Sequence, residues 1–400
     1  MENPLDIELT EEIKEALQNS DQALAAAKIQ EYLEKGKNIP LNIAITGESG
    51  SGKSTFVNAF RGIDNKDERS APTGCVETTL EVTEYPHPNY PNVTLWDLPG
   101  VGTMKFPADE YLNHVGFEKF DFFIITSANR FTENDVKLAV EIQKMKKKFY
   151  FVRSKIDENL RAAERSQREF NEKNTLAQIR ENCIQGLQKQ NISSPQVFLI
   201  SSFDLHLYDF HLLEETLERE LPEHKRKALL FAMPNISLEI INKKKMAFQD
   251  KIKHCATLSA AVAAVPAPGL SVAVDVALLV GVVTQYVLGF GLDIPSLQRL
   301  AETTHVPFQD LIDVIISPLA AKNIQNINVD LIMKLLLQCA TTAGLMVAEE
   351  GSRFIPVLGI PASMGLSFMT TYKGLNAFLD MLAEDAQRVF KRALGLNTSV

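Results

Sequence analysis

Apolar residues recur at helical spacing at the start of the chain. Ile13, Leu17, Leu24, Ile29 and Leu33 stand among charged neighbours and predict two short amphipathic helices within residues 7–35. Lys35-Gly36-Lys37-Asn38 ends that pattern. From Leu41 the period changes. Short β-rich runs at Leu41–Thr46, Val93–Trp96, Phe122–Thr126, Phe149–Val152 and Val197–Ser201 are separated by polar or helical stretches. Strands alternating with crossover helices predict an α/β domain with a mainly parallel sheet. The charged segment Glu158–Asn174 interrupts the order and is expected as a surface loop leading into a helix near Leu176–Leu187.

After Leu221-Pro222 the strand signals fade, and the remainder has a helical character. A Lys-rich helix is expected around Leu238–His254, followed by an Ala/Val/Leu-rich block, Ala256–Leu292, whose only charged residue is Asp275. Val276–Leu292 is seventeen uncharged residues, at the lower limit for a membrane span. Pro266 and Pro268-Gly269 should break the run before it into two helices. Buried core helices and a membrane hairpin or peripheral anchor both fit this composition. The same pair of readings applies to Phe354–Met369, which lies between Arg353 and Lys373 and carries Pro356, Gly359, Pro361 and Gly365. The basic stretch Lys225–Lys253 is either a solvated helix face or a surface for anionic lipid headgroups.

At 400 residues the chain is too long for one ordinary core, so more than one domain is expected. Its 45% hydrophobic and 23% charged content is that of a globular protein. A formal charge of −9 argues against nucleic acid as the main partner. Cys75, Cys183, Cys255 and Cys339 form no CxxC pair, and no secretory signal is evident. Reduced cytosolic thiols are therefore expected, with neither a disulfide framework nor a zinc site. Met1 is followed by Glu2, so an N-terminal myristoyl anchor is not expected.

The chemistry lies in a chain of motifs. Gly47-Glu48-Ser49-Gly50-Ser51-Gly52-Lys53-Ser54, continued by Thr55, follows the first predicted strand and opens a helix. In that setting glycines let backbone N–H groups turn inward around phosphates, and the helix N-terminus adds a favourable dipole. Lys53 would neutralise β- and γ-phosphates, and the Ser54 hydroxyl would ligate Mg2+. Asp97-Leu98-Pro99-Gly100 ends the second core strand. Asp97 would reach the metal through water there, and Gly100 would offer its N–H to a γ-phosphate. Ser154-Lys155-Ile156-Asp157 stands where Asn/Thr-Lys-x-Asp is usual. Asp157 would accept from guanine N1 and the exocyclic amine, Lys155 would lie along the ring, and the Ser154 hydroxyl can tie loops together. Adenine lacks those donors, so the pair selects GTP/GDP. Ser201-Ser202 are candidates for a backbone contact to the base. Between the first two motifs, Thr73, Thr78 and Thr79 all qualify as the switch threonine that closes on the metal. Val101 follows Gly100 where small signalling GTPases carry a water-orienting glutamine, so intrinsic hydrolysis should be slow without help from another residue.

With these motifs in order, the chain resembles the immunity-related (interferon-inducible) GTPases. The matching residues include Thr73-Gly74, Tyr85-Pro86-His87-Pro88, Trp96–Gly102, Asp121-Phe122-Phe123, Phe149–Arg153, Tyr208-Asp209-Phe210, Leu221-Pro222, His224-Lys225-Arg226 and Ala383–Ala386, spread over nearly the whole chain. The resemblance implies a Ras-like P-loop GTPase domain (39–222), N-terminal helices (1–38) and a C-terminal helical domain (223–400) that packs with them. It implies GTP-dependent homodimers or higher oligomers, with dimers formed through the nucleotide faces, cooperative hydrolysis, and a cytoplasmic protein peripherally associated with internal or pathogen-containing membranes. It further implies that Glu77 is the switch residue needed for hydrolysis, which suits the missing glutamine. The full site expectation is then Glu77, Lys53 and Thr79 for catalysis and Ser54, Thr79 and Asp97 for Mg2+. Lys53 marks the lysine-type loop, and the C-terminal half most resembles a divergent, non-myristoylated branch that includes a testis-expressed member. Two rivals share the same motifs. One is a GTP/GDP-binding scaffold with negligible turnover. The other is a membrane-remodelling or tethering protein regulated by nucleotide.

Overall fold

The computed structural model describes residues 39–74, 81–100, 115–128, 131–263, 270–319 and 362–396, with Glu12, Glu15, Ala16, Asn19, Leu24, Lys28, Glu31 and Leu331. The chain divides into two compact units, residues 39–236 and residues 1–38 with 237–400.

In the first unit, strands β1 (Leu41–Thr46), β2 (Thr83–Pro86), β3 (Val93–Asp97), β4 (Phe122–Ser127), β5 (Lys148–Arg153) and β6 (Val197–Leu199) form one sheet among the described residues. Their order is β2-β3-β1-β4-β5-β6, with only the β2–β3 pairing antiparallel. The central strands are apolar on both faces because helices cover both. Alternation along β1 sends Leu41, Ile43 and Ile45 to one core with Phe56, Phe60 and Phe210, while Ala44 joins Phe123, Ile125, Leu138 and Phe151 in the other. Helices α1 (Lys53–Phe60) and α5 (Phe210–Glu220) cover the first face; α2 (Glu133–Lys144) and α4 (Glu172–Gln188) cover the second. Phe56, Phe60 and Phe210 meet as a tilted aromatic triangle with centroids 6.2–6.3 Å apart.

The structure departs from the sequence expectation at three places in this unit. Strand β2 has no counterpart among the expected strands. Its four residues are half exposed at the sheet edge and end in Pro86, so neither a period nor a continuous apolar run announces it. The charged segment expected as a loop is largely helical: α3 spans Ile156–Ser166, and α4 begins at Glu172 with Asn171 as its cap. Only Ile156 and Leu160 of α3 are buried, so a narrow apolar stripe is hidden among charges. The unit also continues past Pro222 through α6 (Glu223–Ala232) to Ile236. Ala228, Leu229, Ala232 and Met233 belong to the same core as β1, and Lys225 pairs with Asp121 at 2.5 Å.

The second unit contains α7 (Leu238–Ala263), α8 (Leu270–Gly289), α9 (Ile294–Thr304), α10 (Phe308–Asp313) and α11 (Ala362–Ala393) among its described residues. Helix α7 packs along α11, where the Ser259 and Thr371 hydroxyls share a buried 2.9 Å hydrogen bond. Pro266, Pro268 and Gly269 lie outside the described residues, between the end of α7 and the start of α8. Among the described residues, one stretch, Leu278–Thr304, which runs through α8 and α9, is long and apolar enough to cross a membrane. Leu278, Leu279, Val282, Val283, Tyr286, Val287 and Phe290 are nevertheless buried in this unit, and Phe248 packs on Tyr286 at 4.8 Å. Residues 354–361 of the Phe354–Met369 segment lie outside the described residues, and Ala362–Met369 open α11. Several lysines of the basic stretch are engaged internally: Lys243 pairs with Glu239 and Lys245 with Asp380. Lys244 is buried and donates to the Gly289 carbonyl at the C-terminal end of α8.

Candidate functional site

Strand β1 lies between β3 and β4: the chain after β1 goes to the β2–β3 side of the sheet, and after β3 it returns past β1 to β4. The crevice beyond the carboxyl ends of the strands at such a switch point is where open α/β sheets place ligands. The glycine-rich loop leaves β1 there. Gly47 has φ +138°, and a Cβ on it would sit 2.0 Å from the Thr126 carbonyl oxygen. Gly52 caps α1 in the left-handed region at φ 89° and aims the helix N-terminus into the loop. The Lys53 ammonium, nearly buried, donates to the Gly47 and Glu48 carbonyls at 3.3 and 2.9 Å, which holds it over the loop mouth. Ser49 and Gly50 are exposed at the tip, and Thr55 is half-buried in the first turn of α1.

Behind Lys53, Ser54 Oγ donates to Asp97 Oδ2 at 2.5 Å, joining the helix to the end of β3. Both groups are buried. Gly100 comes so close to the loop that an added Cβ would lie 2.8 Å from the Ser49 nitrogen.

The base-side loop follows β5. Ser154 Oγ donates to the Ser51 carbonyl at 2.6 Å and to Ser127 O at 3.2 Å, so its hydroxyl does tie the glycine-rich loop to β4. Lys155 takes φ 54° as the N-cap of α3, and its side-chain Cε passes 3.8 Å from the Cβ position of Gly52. Asp157, in the first turn, is mostly shielded and receives Arg161 Nη2 at 2.6 Å. Ser201 is buried, its Oγ accepting from Asp204 N at 3.3 Å, and Ser202 is half-buried beside it. The Ile156 N–H donates to the Ile200 carbonyl at 3.3 Å, which fastens the base-side loop to the end of β6.

The model of the interferon-inducible GTPase (IIGP) family matches residues 6–393. The chain belongs to the interferon-inducible GTPase family. It is 42% identical to Interferon-inducible GTPase 5 of Rattus norvegicus over 386 residues, covering 96% of this chain and 82% of the relative. It is 37% identical to Interferon-gamma-inducible GTPase 10 of Mus musculus, covering 98% of this chain and 91% of the relative. Among solved structures, a bacterial dynamin pair aligns over 97% of this chain and 74% of its own at 13% identity and a TM-score of 0.33. As an interferon-inducible GTPase family member, the chain is a GTPase, and its ligand class is guanine nucleotide.

Of the expected switch residues, Thr73 is described and exposed, whereas Glu77, Thr78, Thr79 and Val101 lie outside the described residues. The structure adds the partners that hold the motif residues in place. Glu48 Oε1 accepts from Thr132 Oγ1 at 3.0 Å and Asn134 Nδ2 at 2.9 Å, fixing the loop to the N-terminus of α2. Thr132 and Asp135 form a capping box there, a Thr-x-x-Asp signal that the sequence carried openly. Burial raises the Asp135 carboxyl above the usual range, although Ser127 Oγ donates to it at 2.9 Å. Arg153 is buried at the end of β5. It donates to the carbonyls of Ser127, Ala128 and Ser154 and to Asn159 Oδ1 at 2.9 Å. Its burial lowers its pKa, with Asp135 acting against that shift. Nothing in its spacing marks Arg153 apart from an ordinary strand-end cation.

Proposed function

We propose that this protein binds Mg2+-GTP in the crevice above β1 and hydrolyses it to GDP and phosphate, with turnover accelerated when two copies meet through their nucleotide faces. The observation that carries the reading is the joint placement of Lys53, the Ser54–Asp97 pair and the Ser154–Asp157 loop around one glycine cradle. The backbone of Gly47–Ser54, continued by Thr55, holds the phosphates, and Lys53 supplies the compensating charge. Ser54 and Asp97 form a hard oxygen donor pair suited to Mg2+, held with the substrate phosphates rather than in an all-protein cage. When bound, the ion neutralises charge on the β- and γ-phosphate oxygens. Thr79 joins Ser54 and Asp97 at the ion, and Thr79 and Gly100 register the γ-phosphate. Lys155 and Asp157 read guanine, Ser201 and Ser202 contact the base through their backbone, and Glu77 orients water across the dimer.

The division of labour that accompanies this reading is a nucleotide domain (39–236), with the N-terminal helices (1–38) and C-terminal helices (237–400) as a second body. The protein is cytoplasmic, associates peripherally with internal membranes, and serves cell-autonomous defence or vesicle and membrane processes. Family membership supports these roles. A series of GTP hydrolysis rates against protein concentration tests the central claim. Turnover per molecule should rise with concentration, with a dimer in size-exclusion chromatography only in the GTP-analogue state. Constant turnover per molecule across a wide concentration range refutes activation by assembly, and no multiple turnover at any concentration leaves a nucleotide-binding scaffold.

A further inference from the structure

Asp157 is assigned the discriminating contact with the base, yet a carboxylate selects guanine over its analogues only if both oxygens face the ring edge. What sets that orientation is visible one turn along α3. Arg161 Nη2 donates to Asp157 Oδ2 at 2.6 Å, and Arg161 Nε donates to the Asp157 carbonyl at 3.2 Å. The guanidinium thus grips one residue at two points, main chain and side chain, in the fork geometry that a lysine lacks. The exposures differ: the Asp157 side chain is 14% exposed and that of Arg161 is 65% exposed. Arg161 therefore lies on the outside of a carboxylate that the loop otherwise shields.

The rest of the loop is braced against movement of the backbone but not against rotation of the Asp157 side chain. Asn159 Nδ2 donates to Lys155 O at 2.6 Å, and Arg153 holds Asn159 Oδ1 and the Ser154 carbonyl from beneath. Those contacts fix the left-handed Lys155 and the start of the helix. None of the bonds from Arg153 or Asn159 reaches the Asp157 carboxylate. The surroundings are acidic as well. The Tyr208 hydroxyl is raised first by burial and then by Glu172, Asp157 and Asp204, with Arg161 as the opposing charge. Arg161 is thus placed to hold the Asp157 carboxylate in one orientation among other acids.

We propose that Arg161 is a positioning residue for base specificity: its two-point grip on Asp157 holds the carboxylate in the rotamer that reads the guanine edge. The oxygen it engages keeps a second lone pair for the base, and Oδ1 is left to accept another donor. This rests on Asp157 reading guanine, as proposed above. Removing the grip should weaken guanine nucleotides more than hypoxanthine nucleotides, because guanine donates to the carboxylate from both N1 and the exocyclic amine, and hypoxanthine only from N1.

The test uses the full chain and equilibrium titration with fluorescent GDP, displaced by GDP, IDP and ADP. Wild type should prefer GDP over IDP. In Arg161→Gln, GDP affinity should fall about tenfold, the scale of one charge-assisted hydrogen bond, and the GDP/IDP ratio should narrow at least threefold. Arg161→Lys, which keeps the charge without the fork, should recover part of the ratio. The thermal unfolding midpoint should stay close to wild type because the side chain is largely exposed. A discriminating wild type whose ratio is unchanged in Arg161→Gln overturns the proposal and leaves the base reading intact. A rise in GDP affinity overturns it too, since Arg161 would then mask Asp157. A wild type that takes IDP as well as GDP overturns the base reading itself.

Discussion

Gly100 is the position where one added methyl group separates the readings most sharply. Its φ is not among the positive values that favour glycine, so alanine meets no backbone penalty. The cost is purely steric. An alanine Cβ would lie 2.8 Å from the Ser49 nitrogen, 3.0 Å from its Cα and 3.1 Å from its Cβ. Favourable carbon contacts lie near ~3.5–4.0 Å, so the overlap is roughly half an ångström or more and falls mainly on main-chain atoms that no rotamer change can move. Overpacking of this kind costs about 1–3 kcal/mol. Ser49 is exposed at the loop tip, so relief should come from displacing the phosphate loop rather than from unfolding the sheet. Gly100→Ala should therefore leave the urea midpoint nearly unchanged and weaken a GTP analogue by about 5- to 100-fold. The loss should be larger for the analogue than for GDP, because the Gly100 N–H is assigned to the γ-phosphate. Fluorescent-nucleotide titrations with GDP and a non-hydrolysable GTP analogue measure both. Affinities within twofold of wild type would refute the steric argument; equal losses for the two nucleotides would refute the γ-phosphate assignment.

Lys53→Ala removes the cation that spans the loop mouth, and nucleotide binding should fall below detection in the same titration; retained GTP affinity would sink the phosphate-site assignment. Ser154→Ala strips the 2.6 Å bond to the Ser51 carbonyl and leaves that buried acceptor short of a donor, which should cost about 1–2 kcal/mol, read as a lower urea midpoint at constant m-value. Burial pushes the Cys183 thiol up to about 11 and the Cys255 thiol up to about 12, so both stay protonated and inert at pH 8. Alkylation mapped by mass spectrometry should leave these two sites unmodified in the native protein and modify them in guanidinium; rapid native labelling of either would contradict their placement.

How legible the fold and site are in the sequence varies with the physics of each element. Strands β1, β3, β4 and β5 are plain because their apolar runs are too short for a helix and rich in β-branched and aromatic residues, which together favour a buried strand. The phosphate loop is plain because only glycines tolerate the conformations that Gly47, Gly50 and Gly52 adopt, at φ 138°, 77° and 89°. Strand β2 is hidden because an edge strand is stabilised by its neighbour rather than by its own pattern. Helix α3 is hidden because its stripe is two residues wide. The end of the first unit is misread because Pro222 looks like a terminator, whereas proline is equally at home just before a helix, and here it caps α6. Arg153, Asn159 and Arg161 escape motif reading on different grounds: their roles depend on which carbonyl or carboxylate the fold delivers to them, and no spacing rule encodes that.

The hydrogen bonds also bear on how the two halves of the site can behave. Ser154 reaches the phosphate loop through Ser51, while Glu48 on the same loop is held by Thr132 and Asn134 at the start of α2. Thr132 shares its capping box with Asp135, Asp135 accepts from Ser127, and the Ser127 carbonyl accepts from both Ser154 and Arg153. The path closes on itself. A phosphate cradle pinned at two points to the elements that carry the base-reading loop cannot shift independently of that loop. Changes made to read the base should therefore alter phosphate affinity, and non-additivity between the two sets is the expected signature of residues that share one network. Affinity and base choice in this GTPase are then two readouts of one rigid frame, with exposed side chains such as Arg161 left to set its finer alignment.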